Sequence, residues 1–209
     1  MKKLTGIICG IMLLAGSSLF AEGPVAAGNL ELGIGKIVSY DRLWDSDNTY
    51  NTFKIGTFTN VSNTYSMGNT AYGLYPVFTF SYFVADGLGL GFNGGYSYLK
   101  ESNEDDPETY WFVAPEIKLY VPVAEGLLVD AHGSVGFNGR DSGTTKYDSI
   151  YFGLGLGLDV LLTEQFAVVI GVDYTYNLDY NRDGETVEDT AYSTIGVSLG
   201  FKTFLSMMN

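Results

Sequence analysis

The chain is poor in the residues that most small-site chemistry requires. It has one cysteine and one histidine in 209 residues, and only 11 lysines and arginines against 24 acidic residues. A single cysteine excludes a disulfide framework and a thiolate metal cluster. The acidic balance, net −13, repels nucleic acid and leaves no basic patch for it. After about residue 21 no apolar run reaches helical length, which excludes a helical membrane protein. Aromatic residues and alternating hydrophobicity are plentiful, which excludes a disordered chain.

The first 21 residues read as a removable leader. Lys2 and Lys3 form a basic start, Ile7 to Leu14 a short apolar core, and Ala15, Gly16, Ser17 and Ser18 a small-residue stretch ending near Ala21. That order is a secretory signal peptide, and its apolar run is too short to span a bilayer. Cys9 lies inside it and lacks the Leu-Ala-Gly approach of a lipoprotein signal, so no lipid anchor is expected. Residues 22–209 then form one domain. Losing Lys2 and Lys3 with the leader takes the net charge from −13 to −15.

What is abundant is a hairpin written three times. Ser81 to Phe92 (SYFVADGLGLGF), Tyr120 to Ala131 (YVPVAEGLLVDA) and Asp159 to Ile170 (DVLLTEQFAVVI) place their acidic turn residues, Asp86, Glu125 and Glu164, 39 positions apart. Each copy is an alternating run, a two-residue turn and a second alternating run, which specifies antiparallel neighbours. A strand–turn–strand–loop repeat of this length builds an up-and-down β architecture.

The two faces of these strands differ sharply. One parity holds Tyr72, Leu74, Pro76, Phe78, Phe80 and Tyr82, and 39 residues on Trp111, Val113, Pro115, Ile117, Leu119 and Val121, with no charge in any copy. The other holds Gly89, Gly91, Asn93, Gly95, Glu116, Lys118, Asp130, His132, Ser134, Gly155, Asp159 and Asp173. Alternation alone does not say which face is inside. Glycine crowding on the polar face suits a narrow interior. The apolar face ends in Tyr72, Tyr98, Trp111, Phe137, Tyr174 and Tyr176, an aromatic girdle of the kind a lipid interface selects. The apolar face is therefore expected to face lipid.

A first strand from about Gly28 to Tyr40 and a closing strand from Ser193 to Phe204 complete the set. The expected fold is all-β, an eight-stranded antiparallel up-and-down transmembrane β-barrel. Lys36 falls on the lipid parity, where a midplane lysine costs roughly 2–4 kcal/mol. A β-bulge near Gly35 that turns Lys36 inward, or a shift that lets it snorkel, is expected. Polar segments 41–69, 100–109, 138–149 and 178–190 form the long loops on the extracellular side. In the first, Phe53, Ile55 and Thr57 alternate and suggest a hairpin rising above the membrane.

With its signal peptide, the stretch FVADGLGLGFNGGYSY (Phe83 to Tyr98) and the closing strand TIGVSLGFKTF (Thr194 to Phe204), the chain resembles the small eight-stranded bacterial outer-membrane barrels, including OmpX and the OmpA membrane domain. The resemblance implies a monomer in the lipid bilayer of the outer membrane, placed by the outer-membrane insertion machinery, with an extracellular ligand met through the loops. A peptidoglycan-binding role is not among what the resemblance implies here.

The inward charges Glu31, Glu116, Lys118, Asp130, Asp159, Asp173 and Lys202, with His132, are expected to pair and fill the lumen, a proton or ion path being the other reading. No serine pairs visibly with His132, so no catalytic residue, cofactor or metal ligand is assigned. Asp179, Asn181, Asp183 and Gly184 match the start of a calcium loop, but Thr190 stands where the bidentate glutamate belongs. An acidic solvated loop is the expected outcome there. Asn60-Val61-Ser62 matches a glycosylation sequon and is read as chance.

Overall fold

The computed structural model describes residues 23–44, 49–55, 77–99, 108–141, 143–188 and 190–207. Its strands are β1 (Leu30–Trp44), β2 (Thr49–Ile55), β3 (Val77–Ala85), β4 (Leu88–Leu99), β5 (Glu108–Ala124), β6 (Leu127–Asp141), β7 (Lys146–Thr163), β8 (Phe166–Asn177), β9 (Asn181–Arg182), β10 (Glu185–Thr186) and β11 (Tyr192–Leu205). Every pairing is antiparallel. Strands β1, β3, β4, β5, β6, β7, β8 and β11 pair in sequence, and β11 closes on β1 from Leu30↔Leu205 to Trp44↔Ser193. Closure removes the sheet edges, which a bilayer demands because unpaired backbone groups have no water there. The leader with Cys9, the stretch from Tyr72 to Pro76, and Asn60-Val61-Ser62 lie outside the described residues.

The 39-residue repeat reappears as geometry. Each hairpin carries a bulge just before its turn, between Phe83 and Ala85, Pro122 and Ala124, and Leu161 and Thr163. Gly87 and Gly126 each adopt φ 71°, while Asp86 and Glu125 do not adopt positive φ. The turns are therefore not the doubly left-handed type that Asp-Gly most often makes. One left-handed glycine and an extra strand residue reconcile the short connection with strand twist.

The parity reading holds throughout. Leu154 and Leu156 are 65% and 60% exposed on the outer wall, and Leu32, Ile34, Phe78, Tyr82, Leu90, Phe92, Ile117, Phe137, Val172 and Val197 are exposed beside them. An outer wall this apolar is stable only against lipid. Trp111 lies over Gly139, its cross-strand partner, so the ring covers backbone that glycine leaves bare.

Lys36 follows the expected bulge. The β1–β11 register jumps from Ile34↔Phe201 to Val38↔Leu199, which inserts two extra residues in β1. Lys36 adopts φ 55°, and its Nζ lies 3.6 Å from Asp41 Oδ1. An even insertion preserves parity, so Ser39 and Asp41 stay buried and Tyr40 stays exposed. Gly200 faces the bulge; a Cβ there would meet the Ile34 carbonyl oxygen at 2.6 Å.

The strands outrun their expected ends. β6 reaches Asp141 and β7 starts at Lys146, so most of 138–149 is wall rather than loop. The first polar segment likewise contains the top of β1 and all of β2, paired from Val38↔Ile55 to Trp44↔Thr49. Above the membrane, polar composition does not stop a ladder, because the backbone groups still gain by pairing. The segment 178–190 also contains structure, the small β9–β10 ribbon.

Candidate functional site

The inward charges come together as one network. Lys118 Nζ donates to Glu31 Oε1 at 2.7 Å and lies 3.1 Å from Glu116 Oε2. Lys202 Nζ reaches Asp130 Oδ2 at 2.9 Å, Asp159 Oδ2 at 3.0 Å and the Tyr120 hydroxyl at 2.8 Å. That hydroxyl donates to Glu31, joining the two lysine centres. Asn93 donates to Glu116 at 3.0 Å and accepts from Tyr151 at 3.2 Å, which extends the chain toward the loop side.

His132 forms the other arm. Its Nδ1 lies 2.8 Å from Asp130 Oδ1 and its Nε2 2.9 Å from Asp173 Oδ1. Both nitrogens face carboxylate oxygens, so the clamp is complete when both carry hydrogen. Each lysine serves two carboxylates, and Lys202 the Tyr120 hydroxyl as well, while Asp173 has His132 as its ion-pair partner. All eight inward groups expected from the sequence are therefore in the lumen, and all engage one another.

Glycine makes the network possible. His132 on β6 pairs with Gly155 on β7, which pairs with Asp173 on β8, which pairs with Gly196 on β11, which pairs with Asp41 on β1. A Cβ on Gly155 would collide with both His132 and Asp173; one on Gly157 would collide with Asp130, and one on Gly196 with Asp41. The run GLGLGLD (Gly153–Asp159) thus leaves space inward at each glycine and puts a leucine into lipid at each alternate position. Side chains two strands apart bond across the gap.

Below the ions lies an apolar floor. Phe83, Tyr120 and Phe204 meet with ring centroids 5.6, 6.4 and 6.2 Å apart, joined by Leu128, Ala167 and Val25. Tyr120 belongs to both layers, ring in the floor and hydroxyl in the network. Its role, and those of Ser39, Asp41 and Tyr151, were missed in the sequence. Parity would have pointed Tyr120 inward, but no pattern announces a hydroxyl that bridges two lysine centres.

The loop side is built differently. Arg140 stacks over Tyr110 and Tyr147 at 5.4 and 6.0 Å, and Tyr147 packs edge-on to Tyr180 at 5.2 Å. The calcium-like motif is a turn. Asp179 Oδ1 accepts from the Thr190 and Ala191 amides at 2.8 Å each, and Asp183 Oδ1 from the Lys146 amide at 3.0 Å. Asp183 and Gly184 both adopt positive φ, closing the β9–β10 ribbon with a type I′ turn. Asp179 and Asp183 each commit Oδ1 to backbone amides and Asn181 its Oδ1 to the Thr186 hydroxyl, and no cluster able to hold a metal ion occurs among the described residues.

No family model matches the sequence, and comparison with curated proteins gives no match. Solved structures do match in fold. Neisserial surface protein A (NspA) aligns at 11% identity over 87% of this chain and 98% of its own, with a TM-score of 0.51. The N-terminal β-barrel domain of OprF from Pseudomonas aeruginosa aligns at 11% identity, over 84% of this chain and 98% of its own, with a TM-score of 0.45. Ail, the attachment invasion locus protein of Yersinia pestis, aligns at 13% identity over 86% and 99%, with a TM-score of 0.42. NspA carries the comparison, and identity this low speaks for fold alone. The fold is that of the small bacterial outer-membrane barrels.

Proposed function

We propose that the barrel is an outer-membrane anchor and that the protein acts through its loop-side segments, in a structural or surface-interaction role. A lumen filled by mutually paired charges carries this reading. Lys118 and Lys202 hold four carboxylates and a phenol hydroxyl between them, which suits a packed interior better than a passage. On this reading residues 1–21 are removed as the leader and 22–209 enter the bilayer as a monomer through the insertion machinery. An extracellular ligand would then meet the loops, where function concentrates on a rigid scaffold.

A narrow conduit for ions or small solutes is the second reading, favoured by the partial exposure of Lys36, Asp173 and His132 inside the lumen. A barrel enzyme is third. Both nitrogens of His132 are committed to carboxylates, which leaves none to activate a nucleophile. Planar-bilayer recording separates the first two readings. The anchor reading expects a silent membrane from folded protein, and steady single-channel steps would overturn it.

A further inference from the structure

Residues 23–29, leading into β1, are not a frayed end. Gly23–Asn29 folds across the turn-side opening and is fixed to the β3–β4 hairpin by main-chain bonds. Gly87 N donates to Val25 O at 2.9 Å, Gly28 N to Phe83 O at 2.8 Å, and Phe83 N to Asn29 O at 3.0 Å. The Ala27 amide donates to Asp86 Oδ1 at 2.9 Å. The Asn29 amide group donates to the Gly23 and Pro24 carbonyls, holding the segment in a closed turn. Gly28, at φ 86°, makes the left-handed bend that leads into β1. The side chain this delivers is Val25, 2% exposed, seated in the floor of Phe83, Tyr120, Leu128 and Phe204.

Side-chain exposure inside the lumen falls to zero before that floor. Side-chain exposure is 29% at Lys36, 23% at Asp173 and 19% at His132, then 1% at Asp130 and zero at Glu31 and Asp159. The turn-side end is therefore dry from the ion network to Val25. A ring of apolar side chains without space for water is a barrier to ions and polar solutes, because crossing it means shedding hydration.

We propose that Gly23–Asn29 is a docked plug that, with Val25 and the three-ring floor, shuts the lumen on the turn side, below the partly exposed groups around His132. The plug precedes the wall and is held by four hydrogen bonds to one hairpin and by one apolar side chain. It is thus the part of the seal that can leave without unpairing a strand. This inference concerns the turn-side end and stands apart from whether the loops bind anything.

The test uses single cysteines in refolded protein that begins at Glu22 and so carries no other thiol. Ser81 is fully buried just above Phe83, and Ser81→Cys is nearly isosteric. Ser134 lies loop-side of His132 on the same strand, and Ser134→Cys is the control. With the plug intact, a small cationic methanethiosulfonate reagent labels Ser134→Cys and leaves Ser81→Cys unlabelled. Adding Val25→Asp, which places a charge in the floor, or starting the chain at Gly28, turns Ser81→Cys from unlabelled to fully labelled while the heat-shifted band persists. Labelling of Ser81→Cys with the plug intact would overturn the proposal. So would its continued protection in the chain that starts at Gly28, since the ion network would then be the seal. Channel steps from the parent protein count against the anchor reading, whereas labelling decides the plug, so the two failures are distinguishable.

Discussion

The two ends of this barrel solve the same problem by different means. On the turn side, connections of two residues hold the strands in fixed register, and the interior is closed by three rings, a buried ion network and an N-terminal plug. On the loop side, the strands run on as ribbons beyond the expected membrane limits, and inward Tyr110, Tyr151 and Asn177 are buried above a partly exposed His132. Alternation is equally regular at both ends. The difference lies in what the inward positions carry: lysine–carboxylate pairs and a three-ring floor below, and Tyr110, Phe112, Tyr151 and Arg140 among small polar residues above. A pleated wall fixes direction, and the residues it turns inward then decide what fills the inside.

If the turn side is a packed ionic interior, removing its central cation should do most harm. Lys202→Met leaves Asp130 and Asp159 buried without their lysine, and a loss of about 3–5 kcal/mol is expected in urea unfolding from lipid. Many preparations of that variant should show no folded band. On the outer wall the same urea experiment tests lipid contact. Leu156→Arg, central in β7, should cost roughly 2–4 kcal/mol in a bilayer. A neutral result there would mean that the apolar face does not meet acyl chains.

Glycine's part in the lower half is tested by Gly157→Val. The new side chain must displace the Asp130 carboxylate, and overpacking of this kind costs about 1–3 kcal/mol. The bulge at Lys36 should be more forgiving. Lys36→Gly relieves a left-handed residue, worth about 1 kcal/mol, and loses the Asp41 pair, so the midpoint should hardly move. Lys36→Leu keeps the left-handed strain and loses the pair, and should be the less stable of the two in the same titration. Least of all, millimolar calcium should leave the melting temperature unchanged, because Asp179 and Asp183 already serve backbone amides. A calcium-dependent rise would show that the loop side can be reorganised around an ion.

The sequence carried the wall almost completely. Period-2 alternation placed Glu31, Glu116, Lys118, Asp130, His132, Asp159, Asp173 and Lys202 inward, and the 39-residue spacing located three turns, because both follow from local backbone geometry. The cost of a lysine in lipid was enough to expect the Lys36 bulge. Illegible were the partners: that Lys202 would serve Tyr120, or that His132 would reach across Gly155, depends on which residues the closed ring brings together over long separations. The plug was missed for a related reason. Gly-Pro-Val-Ala-Ala-Gly-Asn has no periodicity, and only the floor it covers gives Val25 a purpose.

The most direct test of the central claim, that the apolar face is turned to lipid around a filled lumen, uses the two tryptophans. Trp44 lies against Tyr174, an outward-facing girdle residue, and Trp111 covers Gly139, so both rings belong to the girdle. Refolded protein in vesicles of brominated phospholipid should show strong tryptophan quenching together with a heat-shifted band. Unquenched fluorescence from a folded protein that stays soluble without lipid or detergent would contradict the account, and would put the apolar face on the inside.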